Sequence, residues 1–500
     1  MNSGLIPSDQ LELSPILTHI TVMISDDSLA AFRAILGEKG FIENPDDIEP
    51  WVHDWRGRYH GTARAILAPA TTAEVAAAVA LAAERAVPLV PQGGNTSMVG
   101  GATPPADGSA LILSLRRMNH IRAISASDNL AVCEAGVILS NLHEVAEAIG
   151  RRFPLSLGAK GSATIGGLIS TNAGGTQVLR HGTMRALVEG IEAVLPDGSI
   201  HYGLEALKKD NRGYDIKQLL IGAEGTIGIV TAASLRLVPA IADRAVGWTC
   251  VQTPHDALAL LRLAESTIGK VVEGFEVLGD ETLTAVLNLL PGARCPTATR
   301  SPWHILIEVD LDSLEGPSAR DRLETALGAA FEQGLINDAA IATNETQAEE
   351  FWRLRESLSQ AERSLGPALQ FDVSVPVASM PDFMIQAGKA AERAFPGTST
   401  SSFGHLGDGN VHFHVRAPQG VDGPLWIAES GPVISAFVHD LVVVAGGSIS
   451  AEHGIGQMKR AELGRLASPA QLHALRAIKA ALDPQGIMNP GKLIPLASDT

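Results

Sequence analysis

The chain has 500 residues, more than one ordinary domain holds, so we expect two or three domains that share interfaces. Hydrophobic residues make up 45% and charged residues 19% of the sequence, which favours well-filled cores and argues against disorder. The formal net charge of −17 repels phosphate backbones and anionic membranes. Nucleic acid is therefore not an expected partner, and a small anionic substrate would need local cations.

The cysteines and the N-terminus bear on the cellular compartment. Cys133, Cys250 and Cys295 are far apart and show no C-x-x-C spacing, which excludes a disulfide framework and a thiolate zinc site. The first residues lack a basic segment followed by an apolar run, so no signal peptide is expected. The longest apolar run, near DLVVVAGG, has the length of a strand, so we expect no membrane span. The sequence thus predicts a cytoplasmic location.

The first third of the chain alternates short strands and helices. ARAILAP predicts a strand, and Thr71 with Glu74 forms a capping-box pattern before the Ala-rich helix VAAAVALAAERA. Pro88 ends that helix, and LVPQGG begins the next strand. ALILSL and LAVCEAGV have the composition of buried strands, and LSNLHEVAEAIG is an amphipathic helix closed by Gly150.

Three glycine-rich stretches lie in this half, at residues 91–101, 154–175 and 221–231. Glycine allows another group to approach the backbone closely, although each stretch alone is also typical of tight turns in a β-rich fold. None spells G-x-G-x-x-G, which disfavours a Rossmann nucleotide site. All three together, with the side chains of Asn95, Thr96 and Ser97, predict a pyrophosphate cradle.

After Pro239 the glycines thin out and a second domain begins. HDALALLRLAEST and ARDRLETALGAAFEQG predict amphipathic helices, while WHILIEVDL and LQFDVSVPV predict strands. This mixture predicts a second α+β domain over about residues 245–450. AELGRLASPAQLHALRAIKAALDP then predicts a helix that Pro484 stops.

The stretch HLGDGNVHFH predicts a site with chemistry. His412 and His414 would face the same side of a strand, and His405 would fold back across the Gly-Asp-Gly-Asn turn. Two imidazoles with the carboxylate of Glu452 make a ligand set for a divalent metal, and His453 beside it could act as a base. The alternatives are ordinary hydrogen-bonded histidines around a turn, or the site of a metal hydrolase.

Arg355 and Ser359 stand four residues apart in the helical stretch FWRLRESLSQ, so they would share a helical face. An arginine with a nearby hydroxyl suits a carboxylate. The alternative is a solvated helix whose arginines pair with neighbouring glutamates.

Six motifs in order carry a family resemblance: PQGGNTSMVGG, IGGLISTNAGG, IGAEGTIGIVT, GHLGDGNVHFH, SAEHGIGQMKR and DPQGIMNPGKL. Over roughly residues 45–500 the chain resembles the FAD-linked D-2-hydroxy-acid dehydrogenases of the vanillyl-alcohol-oxidase (PCMH-type) superfamily. Within it, the chain is most similar to D-2-hydroxyglutarate and D-lactate dehydrogenases and the glycolate oxidase flavin subunit.

The resemblance implies an α+β fold. A PCMH-type FAD-binding domain of two α/β subdomains would precede an α+β substrate (cap) domain with an antiparallel sheet. The implied boundaries are an N-terminal arm and helix at 1–44, the FAD-binding domain at 45–242, the cap domain at 243–455 and a C-terminal helical segment at 456–500 that returns to the flavin side.

The resemblance also implies non-covalent FAD, since the pyrophosphate loop has no histidine for covalent attachment. The implied FAD-binding residues are Pro91, Gly93, Gly94, Asn95, Thr96, Ser97, Gly100, Gly101, Gly158, Thr164, Gly166, Gly167, Ser170, Thr171, Ala173, Gly174, Gly175, Glu224, Gly225, Gly228, Ile229, Val230 and Asn489. The implied ligands of a divalent metal, zinc or manganese, are His405, His412 and Glu452. His453 would be the base, and the substrate would meet Arg355, Ser359, Gln370 and His414.

Three residues depart from the family pattern. Ser97 stands where glycine is frequent, Gln370 where the hydroxyglutarate enzymes typically have a lysine, and His414 where they commonly have asparagine. Because a fixed cation is lost beside an anionic substrate, we predict an altered choice, such as a different or bulkier D-2-hydroxy acid.

The resemblance further implies three kinds of partner: a small 2-hydroxy acid, an electron acceptor (an electron-transfer flavoprotein, a quinone or a cytochrome) and a second copy in a homodimer. The alternatives are a D-lactate or glycolate type dehydrogenase or oxidase, a member such as an ether-lipid synthase that uses flavin without net redox, and a flavin-binding protein without activity. The set of His405, His412, Glu452 and His453 favours the dehydrogenase.

Overall fold

The structure is a computed structural model that describes residues 24–495, so the first part of the predicted arm lies outside the described residues. The first unit contains α1 (Asp26–Gly40), β1 (Phe41–Ile42), α2 (Pro45–Ile48), a 3-10 helix (Glu49–Trp51), β2 (Ile66–Leu67), α3 (Thr72–Arg85), β3 (Leu89–Gln92) and β4 (Leu111–Ser114). Its sheet has the order β1-β2-β4-β3, with β2, β4 and β3 parallel. The N-cap of the predicted capping box is confirmed, since the Thr71 hydroxyl accepts the Glu74 backbone N–H at 3.1 Å, whereas the Glu74 carboxylate accepts the N–H of Ala70 rather than that of Thr71.

The second unit is an antiparallel sheet packed against helices. It contains β5 (Ile121–Ser125), β6 (Leu130–Glu134), α4 (Leu139–Glu147), β7 (Arg151–Arg152), α5 (Ile165–Ser170), α6 (Val178–His181), α7 (Met184–Leu187), β8 (Val188–Val194), β9 (Ile200–Gly203), α8 (Ile216–Leu220), β10 (Ile229–Arg236) and β11 (Val238–Pro239). The strand order is β5-β6-β10-β8-β9. A core that includes Ile165, Ile191 and Ala233, all fully buried, joins this sheet to its helices.

The third unit is built on a seven-stranded antiparallel sheet. It contains β12 (Asp243–Val251), α9 (Pro254–Ile268), β13 (Val272–Gly279), α10 (Asp280–Leu289), β14 (Trp303–Leu311), α11 (Ala319–Glu332), β15 (Ala339–Ile341), α12 (Glu345–Glu356), α13 (Leu358–Ser364), β16 (Ala368–Ser374), a 3-10 helix (Val377–Ser379), α14 (Met380–Ala394), β17 (Ser399–His405), β18 (Asn410–Arg416) and α15 (Gly423–Val444). Its order is β15-β12-β14-β13-β17-β18-β16. The antiparallel sheet of the predicted cap domain is thereby present.

Side-chain alternation gives this sheet two different faces. On β16, Phe371 and Val373 point into the core with helices α9, α14 and α15, so Gln370 and Asp372 point to the opposite face. The neighbouring β18 does the same, with Phe413 in the core and its histidines opposite. Polar side chains from separate strands therefore gather on one side of the sheet.

The C-terminal segment returns to the first unit. The predicted single helix is two helices, α16 (Arg460–Leu466) and α17 (Pro469–Leu482), because Ser468 caps a new helix that begins at a proline. Beyond α17, the Leu89 backbone on β3 donates to Ile487 O and accepts from Asn489 N, both at 2.8 Å. The tail is thus held beside β3.

The run DLVVV is the end of α15 rather than a strand-length segment. This 22-residue helix is, in the described part of the chain, the one long and apolar enough to cross a membrane, and 28% of its most apolar window is buried. Its inner residues Ile434, Val438 and Val442 lie in the core of the third unit. Packing against that core explains why the β-branched run DLVVV is helical rather than extended.

Candidate functional site

A cavity of about 740 Å³ runs between the glycine-rich stretches and the third unit. It is lined by twenty of the predicted FAD residues, namely Pro91, Gly93, Gly94, Asn95, Thr96, Ser97, Gly101, Gly158, Thr164, Gly166, Gly167, Ser170, Thr171, Ala173, Gly174, Glu224, Gly225, Gly228, Ile229 and Val230. Its volume suits a large cofactor. Glu452 and His453 also line it, so the predicted chemical site opens onto the same space.

The lining of this cavity fits a ligand held by the main chain. A Cβ on Gly93 would lie 2.1 Å from Thr164 Oγ1, and one on Gly94 would lie 1.9 Å from Ser162 O, so two loops touch through glycine. The buried Thr164 Oγ1 has no hydrogen-bond partner among residues 24–495. A buried hydroxyl without a partner is costly, which makes it available to a bound polar group.

Three predicted FAD residues lie outside the cavity lining. A Cβ on Gly175 would meet Ser156 O at 2.0 Å, and Gly100 has φ +68° with Gln457 and Tyr59 close by, so both glycines serve packing. Asn489 lies behind the glycine-rich stretch 91–101, where its side-chain amide donates to Gly101 O at 3.0 Å. These residues support the cradle from outside.

A tight hairpin brings His405 and His412 together. His405 ends β17, and residues 406–409 turn the chain back so that Asn410 pairs with it at the start of β18. Gly409 has φ +82°, and a Cβ there would lie 2.1 Å from Val375 O, so the turn requires glycine. The two imidazole centroids lie 5.6 Å apart.

The predicted metal ligands converge. One ligand atom from each of His405, His412 and Glu452 lies within 4.8 Å of the other two. His405 Nδ1 hydrogen-bonds Glu276 Oε1 at 2.6 Å, and its Nε2 lies 3.9 Å from Glu452 Oε1. A histidine whose second nitrogen meets a carboxylate is typical of metal ligands. The donor set therefore fits a divalent cation.

The electrostatics of two of these side chains, His412 and Glu452, also suits a cation. At His405 burial is outweighed by Glu276, which raises the pKa of this imidazole to about 9, so a bound metal would displace its proton. Burial lowers the pKa of His412 well below its ordinary value, so this imidazole is neutral and has a free lone pair. Burial, partly opposed by His405, raises the pKa of Glu452 to about 7. The half-buried carboxyl thus lacks sufficient positive charge around it, and a bound cation would favour its ionised form.

Asp372 holds the segment that carries Glu452 and His453. Its Oδ2 accepts the backbone N–H groups of these two residues at 2.9 and 3.0 Å. His453 Nδ1 lies 3.4 Å from the same oxygen, which leaves Nε2 directed elsewhere. Burial lowers the pKa of His453 although Asp372 opposes this, so the imidazole is neutral at pH 7.

A second carboxylate, that of Glu224 in the second unit, binds the other end of this segment. Its oxygens accept the Ile455 and Gly456 N–H groups at 2.7 and 2.8 Å. Glu224 also lines the large cavity, but both of its carboxylate oxygens bond to the loop of residues 452–456. The loop is clamped between two domains.

A smaller cavity of about 110 Å³ adjoins the large one and shares Met98, Val99, Ser359 and His453 with it. The predicted substrate residues Gln370 and His414 line it and stand opposite each other on β16 and β18. Two arginines of the first unit, Arg56 and Arg58, also line it. Ligand-scale polar space therefore lies next to His453.

Arg355 and Ser359 do not share one helical face, because the helix is interrupted at Ser357, between α12 and α13. Ser359 lines both cavities, whereas Arg355 lines neither. The Arg355 guanidinium lies over the Phe403 ring and donates to Glu276 Oε2 at 2.7 Å. In this structure Arg355 orients the carboxylate behind His405.

The comparisons with known proteins identify the family and the fold. The family described as FAD binding domain matches residues 63–202, and that described as FAD linked oxidases, C-terminal domain, matches residues 242–493. The chain is 36% identical over 473 residues to D-2-hydroxyglutarate dehydrogenase, mitochondrial, of Arabidopsis thaliana, covering 94% of this chain and 82% of that protein. The chain belongs to the FAD-linked D-2-hydroxy-acid dehydrogenases.

Two further comparisons bear on this dehydrogenase. It is 36% identical to the mitochondrial D-2-hydroxyglutarate dehydrogenase of Bos taurus, over 95% of this chain and 84% of that protein. Its fold is similar to that of p-cresol methylhydroxylase, with a TM-score of 0.70 and 16% identity over 93% of this chain and 96% of that chain. The predicted PCMH-type fold, FAD binding and oxidoreductase class are thereby confirmed.

The predicted cytoplasmic location is contradicted, because the Arabidopsis and cattle relatives are named as mitochondrial proteins. Cysteine spacing indicates a reducing environment, and it cannot distinguish one such compartment from another.

Sequence reasoning missed three residues of this dehydrogenase's site, namely Asp372, Glu276 and Arg56. Asp372 had a usable signal, since it alternates with Gln370 on a strand where apolar residues fill the positions between and beside them. Glu276 and Arg56 had none, because their partners His405 and Gln370 lie 129 and 314 residues away in the sequence.

Proposed function

We propose that the chain oxidises a D-2-hydroxy acid to the 2-oxo acid, with FAD as hydride acceptor and a divalent metal at His405, His412 and Glu452. The observation that carries this proposal is the convergence of those three side chains at the edge of the glycine-lined cavity, with His453 beside them. The names of the relatives favour D-2-hydroxyglutarate as the first substrate to test.

Each group has a distinct part in this proposal. FAD, when bound, supplies the redox chemistry, and a metal ion supplies positive charge that makes a hydroxyl easier to deprotonate. The chain positions the reacting groups. His453 Nε2 accepts the hydroxyl proton, since burial keeps the ring neutral and Asp372 faces its Nδ1. Glu276 fixes His405 so that its Nε2 faces Glu452.

The experiment is anaerobic reduction of the bound flavin by a panel of D- and L-2-hydroxy acids, before and after chelation. We expect bleaching by D acids, loss of the reaction on chelation and recovery when zinc or manganese is returned. An unaffected rate in chelated, metal-free protein would contradict the metal. Bleaching by L acids alone would contradict the stereochemistry.

A further inference from the structure

Arg56, like Arg58, enters the small cavity from the first unit, whereas Gln370 and the strand histidines that line it belong to the third unit. Arg56 lies in a turn whose shape Asp54 fixes, since the Asp54 oxygens accept the Arg56 N–H at 3.2 Å and the Tyr59 N–H at 2.7 Å. From this turn the Arg56 guanidinium donates to Gln370 Oε1 on β16. The arginine is thus placed in the cavity by a hydrogen-bonded turn.

Arg56 has no ion-pair partner in the part of the chain that the structure describes, and Asp54 two residues earlier supports its charge only from a distance. Within residues 24–495 no carboxylate lies at ion-pairing distance from Arg56, and its buried Nε has no hydrogen-bond partner. Burial, with repulsion from Arg58 and Arg363, lowers its pKa to about 10, so it is still a cation at pH 7. A half-buried, unpaired guanidinium favours an anion beside it.

The sheet register relates this cation to the metal ligands. Gln370 stands opposite His414, and two residues along β16 Asp372 stands opposite His412. Two strand residues span about 7 Å. The contact between Arg56 and Gln370 is therefore separated from the proposed metal ligand His412 by about the length of a short dicarboxylic acid. His412 and Gln370 both line the small cavity that joins these two ends.

We propose that Arg56 binds the second carboxylate of a dicarboxylic D-2-hydroxy acid and thereby sets the substrate preference. This inference rests on the proposed function and gives it a substrate class. Because Gln370 Oε1 accepts from Arg56, the Gln370 amide N–H groups are left to donate to the same carboxylate. Arg56 thus supplies the cation that is missing at position 370, and no bulkier substrate is needed to explain the glutamine.

The test is a calorimetric titration of the FAD-loaded, metal-loaded protein with 2-oxoglutarate and with 2-oxopentanoate, which has a methyl group in place of the second carboxylate. In Arg56→Gln we expect 2-oxoglutarate to bind roughly 10- to 100-fold more weakly, because a charged hydrogen bond is lost. Binding of 2-oxopentanoate should not change. Arg64→Gln is the matched control, since Arg64 lies in the same unit but pairs with Asp26, and it should bind both acids as the unmodified protein does.

A second variant moves the positive charge from position 56 to position 370, which distinguishes the loss of this charge from a general loss of substrate binding. In Arg56→Gln with Gln370→Lys, we expect 2-oxoglutarate affinity to recover, because the new ammonium replaces the guanidinium. Equal weakening for both acids in Arg56→Gln, or no weakening, would overturn the role of Arg56.

Kinetics then separate this inference from the proposed function. In Arg56→Gln, kcat/KM should fall for D-2-hydroxyglutarate and hold for D-2-hydroxypentanoate, mainly through KM. Failure of the unmodified protein to oxidise either acid would refute the proposed function. The titrations would still decide whether Arg56 selects a second carboxylate.

Discussion

Asp372 Oδ2 accepts the backbone N–H of His453 at 3.0 Å and lies 3.4 Å from Nδ1 of the same imidazole. One buried carboxylate on β16 therefore fixes both the position and the ring orientation of the proposed base. The other Asp372 oxygen faces His412 Nδ1 at 3.9 Å, so the same side chain also stands behind a metal ligand.

The first prediction concerns this carboxylate. Asp372→Asn keeps an oxygen that can accept the N–H groups but removes the charge facing His412 and His453. We expect FAD content and Tm to stay near those of the unmodified protein while flavin reduction slows roughly 10- to 100-fold. Stopped-flow reduction with D-2-hydroxyglutarate measures this. An unchanged rate would show that Asp372 serves folding alone.

The second prediction concerns the base itself. His453→Asn should retain the flavin spectrum and slow reduction by about 10²- to 10⁴-fold, because general-base help is removed. His439→Asn is the control, since His439 is a buried histidine that bonds Glu462 at 2.8 Å and lines neither cavity. Equal rates in both variants would contradict a proton-accepting role for His453.

The third prediction concerns the carboxylate behind His405. Glu276→Gln keeps the shape but weakens the orientation of His405, so metal affinity should fall roughly 10- to 100-fold. Competition with a coloured chelator measures it. Glu308→Gln is the matched control, because Glu308 is also a buried glutamate of this sheet but pairs with Arg244. A similar loss in both variants would assign the effect to general destabilisation.

The fourth prediction tests the FAD cradle. Gly93→Ala should lower the flavin content per chain, because the new Cβ would collide with Thr164 Oγ1. Gly161→Ala in the neighbouring glycine-rich stretch meets nothing within 4 Å and should leave it unchanged. Adding Thr164→Ala to the first variant should restore part of the flavin. Full flavin content in Gly93→Ala would argue against this loop as a cradle.

The fifth prediction concerns stability and pH at Asp310, whose buried carboxyl has no hydrogen-bond partner for either oxygen among residues 24–495. Burial, reinforced by Glu308 and Glu273, raises its pKa to about 8. The folded state thus keeps a proton that the unfolded chain releases near pH 4, so this contribution to stability is present at acidic pH and is lost as pH rises to 8.

Asp310→Asn cannot ionise. The unfolding free energy of this variant, relative to that of the unmodified protein, should therefore rise by up to about 1.4 kcal/mol per pH unit between pH 5 and pH 8, and its relative Tm should rise with it. Calorimetry at the two pH values measures the change. A Tm difference that does not depend on pH would contradict the raised pKa.

The sequence predicts well what is local. The hairpin joining His405 to His412 follows from a glycine turn between two alternating strands, and the helix after Thr71 follows from its cap. The fold of the two halves was predicted from the family resemblance, which six motifs in the same order carry. The break before Pro469 also had a signal, because a serine followed by proline begins many helices.

What the sequence does not predict depends on tertiary contacts. The DLVVV run has strand-like composition, yet it lies in a helix because Val438 and Val442 pack into a core. The effect of Gln370 could not be judged without Arg56, whose contact with it crosses 314 residues and two domains. The prediction of an altered substrate rests on the lysine that Gln370 replaces, and it was made without this arginine.

The most direct test is the location of a bound metal in crystals of the FAD-loaded protein, by anomalous scattering at the zinc or manganese edge. We expect one peak within about 2.0–2.2 Å of His405 Nε2, of an imidazole nitrogen of His412 and of a Glu452 oxygen. A second group, Asp372, Glu452 and His453, also has ligand atoms within 4.8 Å of one another. A peak held by that group instead would make His453 a ligand and would contradict its role as the base.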